Sequence, residues 1–316
     1  MEFSHDLFAE DEVNRLDSFS KCLSDPAIHT GSSLGNPLTD VKLTRTFGKY
    51  ELTRLLDNDS IGATFLARHA DSPNEFAVKR ISNQYIERIG TEKLRKQLHQ
   101  LRDESMATNA VFISNMTTIF EVGNIEGQYF YSVGHVRGKS LAKVVNSNAI
   151  SNRLAASVIQ EVSDSIHKLH LAGLFHGDLG PENIVIDSDS RPHILPCPTA
   201  LCDAEENKSL ACQAPEVSEH KDVNAAAEIW SMGAILYNCL VGEPPSKDAA
   251  IVPPRKRNRK VARDLDTICM KCLSPQPKHR YADAAALTQD LALFLEYQPI
   301  KASPAGLVGK LIKKFS

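Results

Sequence analysis

No apolar run in the sequence approaches the ~20 residues a helix needs to cross a bilayer. The start, Met1-Glu2-Phe3-Ser4-His5-Asp6, lacks the basic segment and apolar stretch of a secretion signal. Charge of one sign is missing too. Lys and Arg number 36 against 39 Asp and Glu, a formal balance of -3, which gives nucleic acid no global attraction. Cysteine is sparse and odd in number, at 7, which argues against a disulfide framework. A reducing cytoplasm is therefore the expected compartment. Internal repeats are also absent.

What is present is an ordinary globular composition, 42% hydrophobic and 24% charged over 316 residues, long enough for one large core or two coupled lobes. Cys269-Met270-Lys271-Cys272 has the spacing of half a zinc site. Leu265, Ile268, Cys272 and Leu273 share one helical face, however, and no second Cys/His pair lies nearby. A buried helical face is the better reading.

Residues 1–46 read as an irregular extension, partly disordered, in which Val13, Leu16 and Phe19 could line a short docking helix. From Tyr50 the pattern is β: Tyr50 to Leu55, Ala63 to Ala67, Phe76 to Ile81, Thr118 to Val122 and Tyr129 to Val133, with a helix over Glu92 to Met106. Beyond Gly134 to Gly138 helical periods dominate, over Ala155 to Ala172, Ile229 to Leu240, Leu265 to Leu273 and Ala284 to Leu295. The layout is α+β and two-lobed, a small β-rich lobe over 47–134 and a large α-helical lobe over 138–297 with a cleft between, then a basic tail over 298–316.

The run Phe175-His176-Gly177-Asp178-Leu179-Gly180-Pro181-Glu182-Asn183, followed by apolar Ile184-Val185-Ile186, resembles the catalytic loop of a protein kinase. Phe76-Ala77-Val78-Lys79, Ala214-Pro215-Glu216 and Pro277-Lys278-His279-Arg280 follow the same family's order and spacing. From about Phe47 to Glu296 the chain resembles bacterial eukaryotic-type serine/threonine protein kinases, of a planctomycete-like branch. The resemblance implies a kinase-like fold. It also implies that Asp178 is the phosphoryl-transfer base and Asn183 a ligand of metal and nucleotide. Lys79 would contact phosphate and pair with Glu104, or alternatively Asp103. His176, Glu216, Glu228 and Arg280 would brace the large lobe, Glu216 by pairing with Arg280.

The departures concern charge. A kinase covers phosphates with G-x-G-x-x-G because backbone without side chains can come close. Here Asp57 and Asp59 take two of those places and only Gly62 remains. An ordinary hairpin turn rich in Asp and Asn is the simpler reading. Gly177 and Gly180 replace the loop's usual Arg and Lys, and Pro196-Cys197-Pro198 stands where the metal-binding Asp-Phe-Gly belongs. Asp187 and Asp189 would face away, and Asp203 lies further on. Ser209 is the phosphosite candidate of the short segment before Gln213. ATP is therefore expected to bind weakly if at all, and magnesium to lack its site.

Two charge features flank these motifs. Arg255-Lys256-Arg257-Asn258-Arg259-Lys260 reads as a solvated basic loop. In the tail, Leu307, Val308, Leu311, Ile312 and Phe315 share a helical face opposite Lys310, Lys313 and Lys314, which suits a membrane surface, a partner or the large lobe. The expectation is a catalytically impaired kinase-like domain that scaffolds or regulates a signalling protein. An active or weakly active kinase and a membrane-surface adaptor acting through 307–315 are the alternatives.

Overall fold

The computed structural model describes residues 45–146, 148–196, 211–218, 223–246 and 250–303. Most of the N-terminal extension, Cys197, Pro198, Asp203, Ser209 and the 307–315 tail lie outside them. The fold has two compact units. The smaller takes residues up to 102 and then 119–135; the larger takes 103–118 and everything from 136. The smaller unit thus ends one residue past the expected 134 but leaves out 103–118, which groups with the larger unit.

The smaller unit is a curled antiparallel sheet in the order β1-β2-β3-β4-β6-β5. Its strands are β1 (Arg45–Phe47), β2 (Tyr50–Asn58), β3 (Gly62–His69) and β4 (Glu75–Ile81), then β5 (Ile119–Ile125) and β6 (Gln128–Gly134). Phe47, Tyr50, Leu52, Ala67, Phe76, Val78 and Phe130 form its core. Tyr50 is also a polar tie: its hydroxyl donates to Glu121 Oε2 at 2.6 Å and meets Ser132 Oγ at 2.8 Å. Burial pushes that phenol up, and the Glu121 carboxylate adds to it.

Between β4 and β5 run α1 (Asn83–Ile89) and α2 (Thr91–Asn109). The sequence reading missed α1, although Ser82 caps it by accepting from Tyr85 N at 3.1 Å. It also ended the second helix three residues early, at Met106.

The larger unit begins with β7 (Lys139–Ser140), α3 (Leu141–Val145) and α4 (Asn152–Leu171). A second sheet of order β7-β8-β9 adds β8 (Ile184–Ile186) and β9 (Pro192–Ile194). The helices that follow are α5 (Pro215–Ser218), α6 (Ala225–Val241), α7 (Pro254–Arg257), α8 (Arg263–Cys272) and α9 (Ala284–Leu295). Ser151 caps α4, accepting from Leu154 N at 3.2 Å, and the predicted apolar stripe Val158, Ile159, Val162, Ile166 and Leu169 is fully buried. Helix α6 is buried from Ala227 to Leu240 without a solvent face, as an apolar sequence on all sides requires. Leu265, Ile268, Cys269 and Cys272 of α8 are buried as well, so the two cysteines belong to a packed helical face.

The folded chain continues past the expected end at 297. Asp290, 1% exposed, accepts from Lys301 N at 2.7 Å, Ala302 N at 2.9 Å and the Tyr281 hydroxyl at 2.8 Å. One buried carboxylate thus draws the segment after Pro299 onto the unit, with Ile300 packed against the core. Among the described residues, no helix is long and apolar enough to cross a membrane.

Candidate functional site

In the smaller unit the β2–β3 hairpin turns through Asp59-Ser60-Ile61-Gly62, with Asn58 opposite Ala63. Asp59 N donates to Gly62 O at 3.0 Å. The Asp59 side chain folds back: Oδ1 accepts from Ile61 N at 3.0 Å and Gly62 N at 3.1 Å. This is the aspartate turn read from the sequence, with one addition. Its second oxygen, Oδ2, is 2.5 Å from Lys79 Nζ. Register explains the contact, because Thr64 lies opposite both Asp57 and Lys79. The Lys79 side chain is 7% exposed and that of Asp59 27%. Gly62 is required here by close approach, since a Cβ would fall 1.9 Å from Arg80 O.

The resemblance implied that Lys79 pairs with Glu104; the ion pair the structure holds is Lys79–Asp59. Glu104 and its alternative Asp103 are exposed on the end of α2 that groups with the larger unit. Asp57, near the end of β2, is exposed too.

In the larger unit the loop before β8 is held from three sides. His176 Nε2 donates to Leu195 O at 2.8 Å, while its Nδ1 accepts from Asp178 N at 3.4 Å, which fixes the tautomer. Asn183 Nδ2 donates to Asp178 O at 2.8 Å and Asp178 Oδ2 at 3.2 Å. Leu195 N donates to Asn183 O at 2.8 Å. Underneath, Glu228 Oε1 accepts from Gly177 N at 2.8 Å, and its Oε2 meets His170 Nε2 at 2.7 Å. Gly177 turns at φ +86°, where a side chain would be strained. Asp178 and Asn183 are therefore neighbours on a rigid loop. Glu228 supports that loop through its backbone, and His170 is a second support that sequence reading did not single out.

The same contacts fix what lies beside Asn183. Leu195 is bonded through both its N–H and its carbonyl, and the residue after it, Pro196, has no side-chain oxygen. Asp187 is committed elsewhere: Oδ1 accepts from Asp189 N and Arg191 N, both at 2.9 Å, and Oδ2 bonds His193 Nε2 at 2.8 Å. The His193 hydrogen bond is the main reason its carboxyl sits below the usual range. Among the described residues no three His, Cys, Asp or Glu side chains come together as a metal-binding group. A magnesium ion bridging phosphates needs carboxylate support. Among the described residues, Asn183 offers one neutral carbonyl oxygen, Pro196 offers no side-chain oxygen, and the Asp178 carboxylate is the acidic group beside them.

Glu216 and Arg280 meet at 2.5 and 2.9 Å within the larger unit.

The protein kinase domain family matches residues 50–292. Serine/threonine-protein kinase PknB of Mycolicibacterium smegmatis is 26% identical over 272 residues, spanning 77% of this chain and 42% of that protein. CBL-interacting protein kinase 2 of Oryza sativa subsp. japonica is 25% identical over 250 residues, spanning 73% and 55%. The chain thus covers less than two thirds of the length of these curated relatives. Among solved structures, the PknI kinase domain of Mycobacterium tuberculosis has a TM-score of 0.64 at 19% identity, covering 79% of this chain and 97% of that one. The PpkA-294 apo form reaches 0.67 at 15%, covering 80% and 99%. The fold neighbours carry the same curled sheet and helical unit.

Proposed function

Because the chain belongs to the protein kinase domain family, we propose that it is a serine/threonine-kinase-like domain impaired in phosphoryl transfer, which serves a signalling partner as a scaffold or allosteric regulator. One observation carries this reading. The resemblance aligns Pro196-Cys197-Pro198 with the family's metal-binding Asp-Phe-Gly, and Pro196 directly follows Leu195, which is hydrogen-bonded to Asn183. Phosphoryl transfer depends on positioning and on neutralising the charge of the transferred group. Gly180 supplies no cation where the family has lysine. Each such electrostatic contact is worth roughly 3–4 kcal/mol, or about 10²–10³ in rate, and two absences on one loop compound.

Asp178 and Asn183 favour a second reading. The two hydrogen bonds that Asn183 donates to Asp178 keep the carboxylate beside the loop amide, where it could accept a hydroxyl proton, so a weakly active kinase is the alternative. The test is purified protein with labelled ATP and Mg²⁺ or Mn²⁺, beside Asp178→Asn. Absence of incorporation in both supports the proposal. Incorporation by the natural chain that Asp178→Asn abolishes would overturn it.

A further inference from the structure

The hairpin of the smaller unit holds an anion site with its anion already in place. Ile61 N–H and Gly62 N–H converge on one oxygen of Asp59, and the Lys79 ammonium sits on the other. Two successive backbone N–H groups and a largely buried lysine are a donor set suited to a phosphate oxygen, a small concave nest for an anion. Asp59 supplies the oxygens from within the same turn. Such a tethered carboxylate competes at an effective concentration that for short tethers is on the order of millimolar or above. It also gives Lys79, 7% exposed, the partner that a buried cation requires.

We propose that Asp59 is a built-in competitor of phosphate: the Asp59–Lys79 pair holds the hairpin shut against the phosphates of a nucleotide, and its release opens a metal-independent triphosphate site. The proposal rests on reading this hairpin as a former phosphate-covering loop. It adds to the impaired-kinase reading the reason why the retained lysine does not by itself confer nucleotide binding. A carboxylate in the loop therefore acts by occupying the lysine as well as by repelling phosphate.

The experiment measures ATP binding to the full chain by calorimetry in EDTA, with adenosine as the phosphate-free control. Asp59→Gly removes both oxygens and so frees the two N–H groups and Lys79 together. Asp59→Asn, which frees Lys79 and keeps an acceptor for the turn, serves if the first variant unfolds. Either is expected to tighten ATP binding tenfold or more and to leave adenosine unchanged. Adding Lys79→Met to the same variant should abolish the gain. Unchanged ATP affinity in a folded Asp59 variant overturns the proposal. So does a gain that persists without Lys79, or an equal gain for adenosine. Failure here is separable from failure of the functional reading. Label transfer by the natural chain would sink the latter alone, and unaltered ATP affinity on Asp59 substitution would sink the former alone.

Discussion

Arg280 engages Glu216 with both prongs of its guanidinium, Nη1 to Oε1 at 2.5 Å and Nη2 to Oε2 at 2.9 Å. Nε donates to Ser274 O at 2.9 Å, Nη1 also to Ala226 O at 2.8 Å, and the plane lies 4.9 Å from the Trp230 ring centroid. The arginine side chain is fully buried and that of Glu216 11% exposed. A single cation thus ties α5, the first turn of α6, the chain after α8 and the only tryptophan into one cluster.

Breaking that pair from one side leaves a buried charge alone. Arg280→Met is expected to destabilise the larger unit by about 3–5 kcal/mol, and Glu216→Gln by a similar order. The double variant should cost less than the sum. Arg280→Lys will not rescue, because an ammonium cannot serve two oxygens and two carbonyls in one plane. Urea unfolding followed by Trp230 emission measures it. A loss below about 1 kcal/mol for Arg280→Met would show the pair to be peripheral.

Glu228 is predicted to hold the catalytic-type loop through Gly177 and not through Asp178. Glu228→Ala removes the acceptor of the Gly177 N–H and the partner of His170, and leaving such buried groups unmet costs about 1–3 kcal/mol each. Amide exchange at Gly177 should accelerate at least tenfold, while exchange in α9 stays near its original rate. Glu228→Gln, which can still accept from Gly177, should accelerate it far less. Equal acceleration by Ala and Gln would place the effect in charge and not in this hydrogen bond.

Much of this was legible in the chain. Elements built on a single period, such as α4 and β4, follow from spacing alone. The Glu216 and Arg280 motifs each stand in a recognisable local pattern. What escaped depends on contacts between distant segments. Asp59 and Lys79 lie 20 residues apart, and only the register of three strands brings them together, so the sequence shows a turn-forming Asp and a strand-ending Lys as separate facts. Asp290-Leu291 belongs to the family-like pattern of the last helix, but its hold on residues 301 and 302 shows only in the fold. Helix α1 is a different kind of miss. Ser82 before it and Gly90 after it are cap signals in the sequence, but seven residues are too few to show a helical period.

Close packing predicts the effect of a minimal change at Gly233. An added Cβ would fall 2.4 Å from Cys272 Cβ, where α6 crosses α8. Neither helix can retreat cheaply, since both are buried on the facing sides. Gly233→Ala, although it favours the helix intrinsically, should cost about 1–3 kcal/mol by overpacking. Thermal unfolding should fall by several degrees, at roughly 2–4 °C per kcal/mol. Cys272→Gly in the same chain should recover part of that loss; no recovery would mean that the strain lies elsewhere.

The β8–β9 hairpin is expected to respond to acid through Asp187. Its carboxyl sits below the ordinary value of 3.8, chiefly because of the His193 hydrogen bond and then the Arg191 backbone N–H. The unfolded chain therefore takes up this proton at a higher pH than the folded one. Asp187 contributes its full stabilisation above the ordinary carboxylate value and loses it as pH falls through the depressed folded value. Asp187→Asn removes the titration. The stability difference between natural chain and variant should accordingly be flat near neutral pH and contract on acidification. Chemical denaturation of both proteins at a series of pH values, run from neutral to the acid limit of the folded state, measures the gap. A gap that widens toward low pH would reverse the assigned sign, and one that never changes would show that the Asp187 proton is not linked to folding.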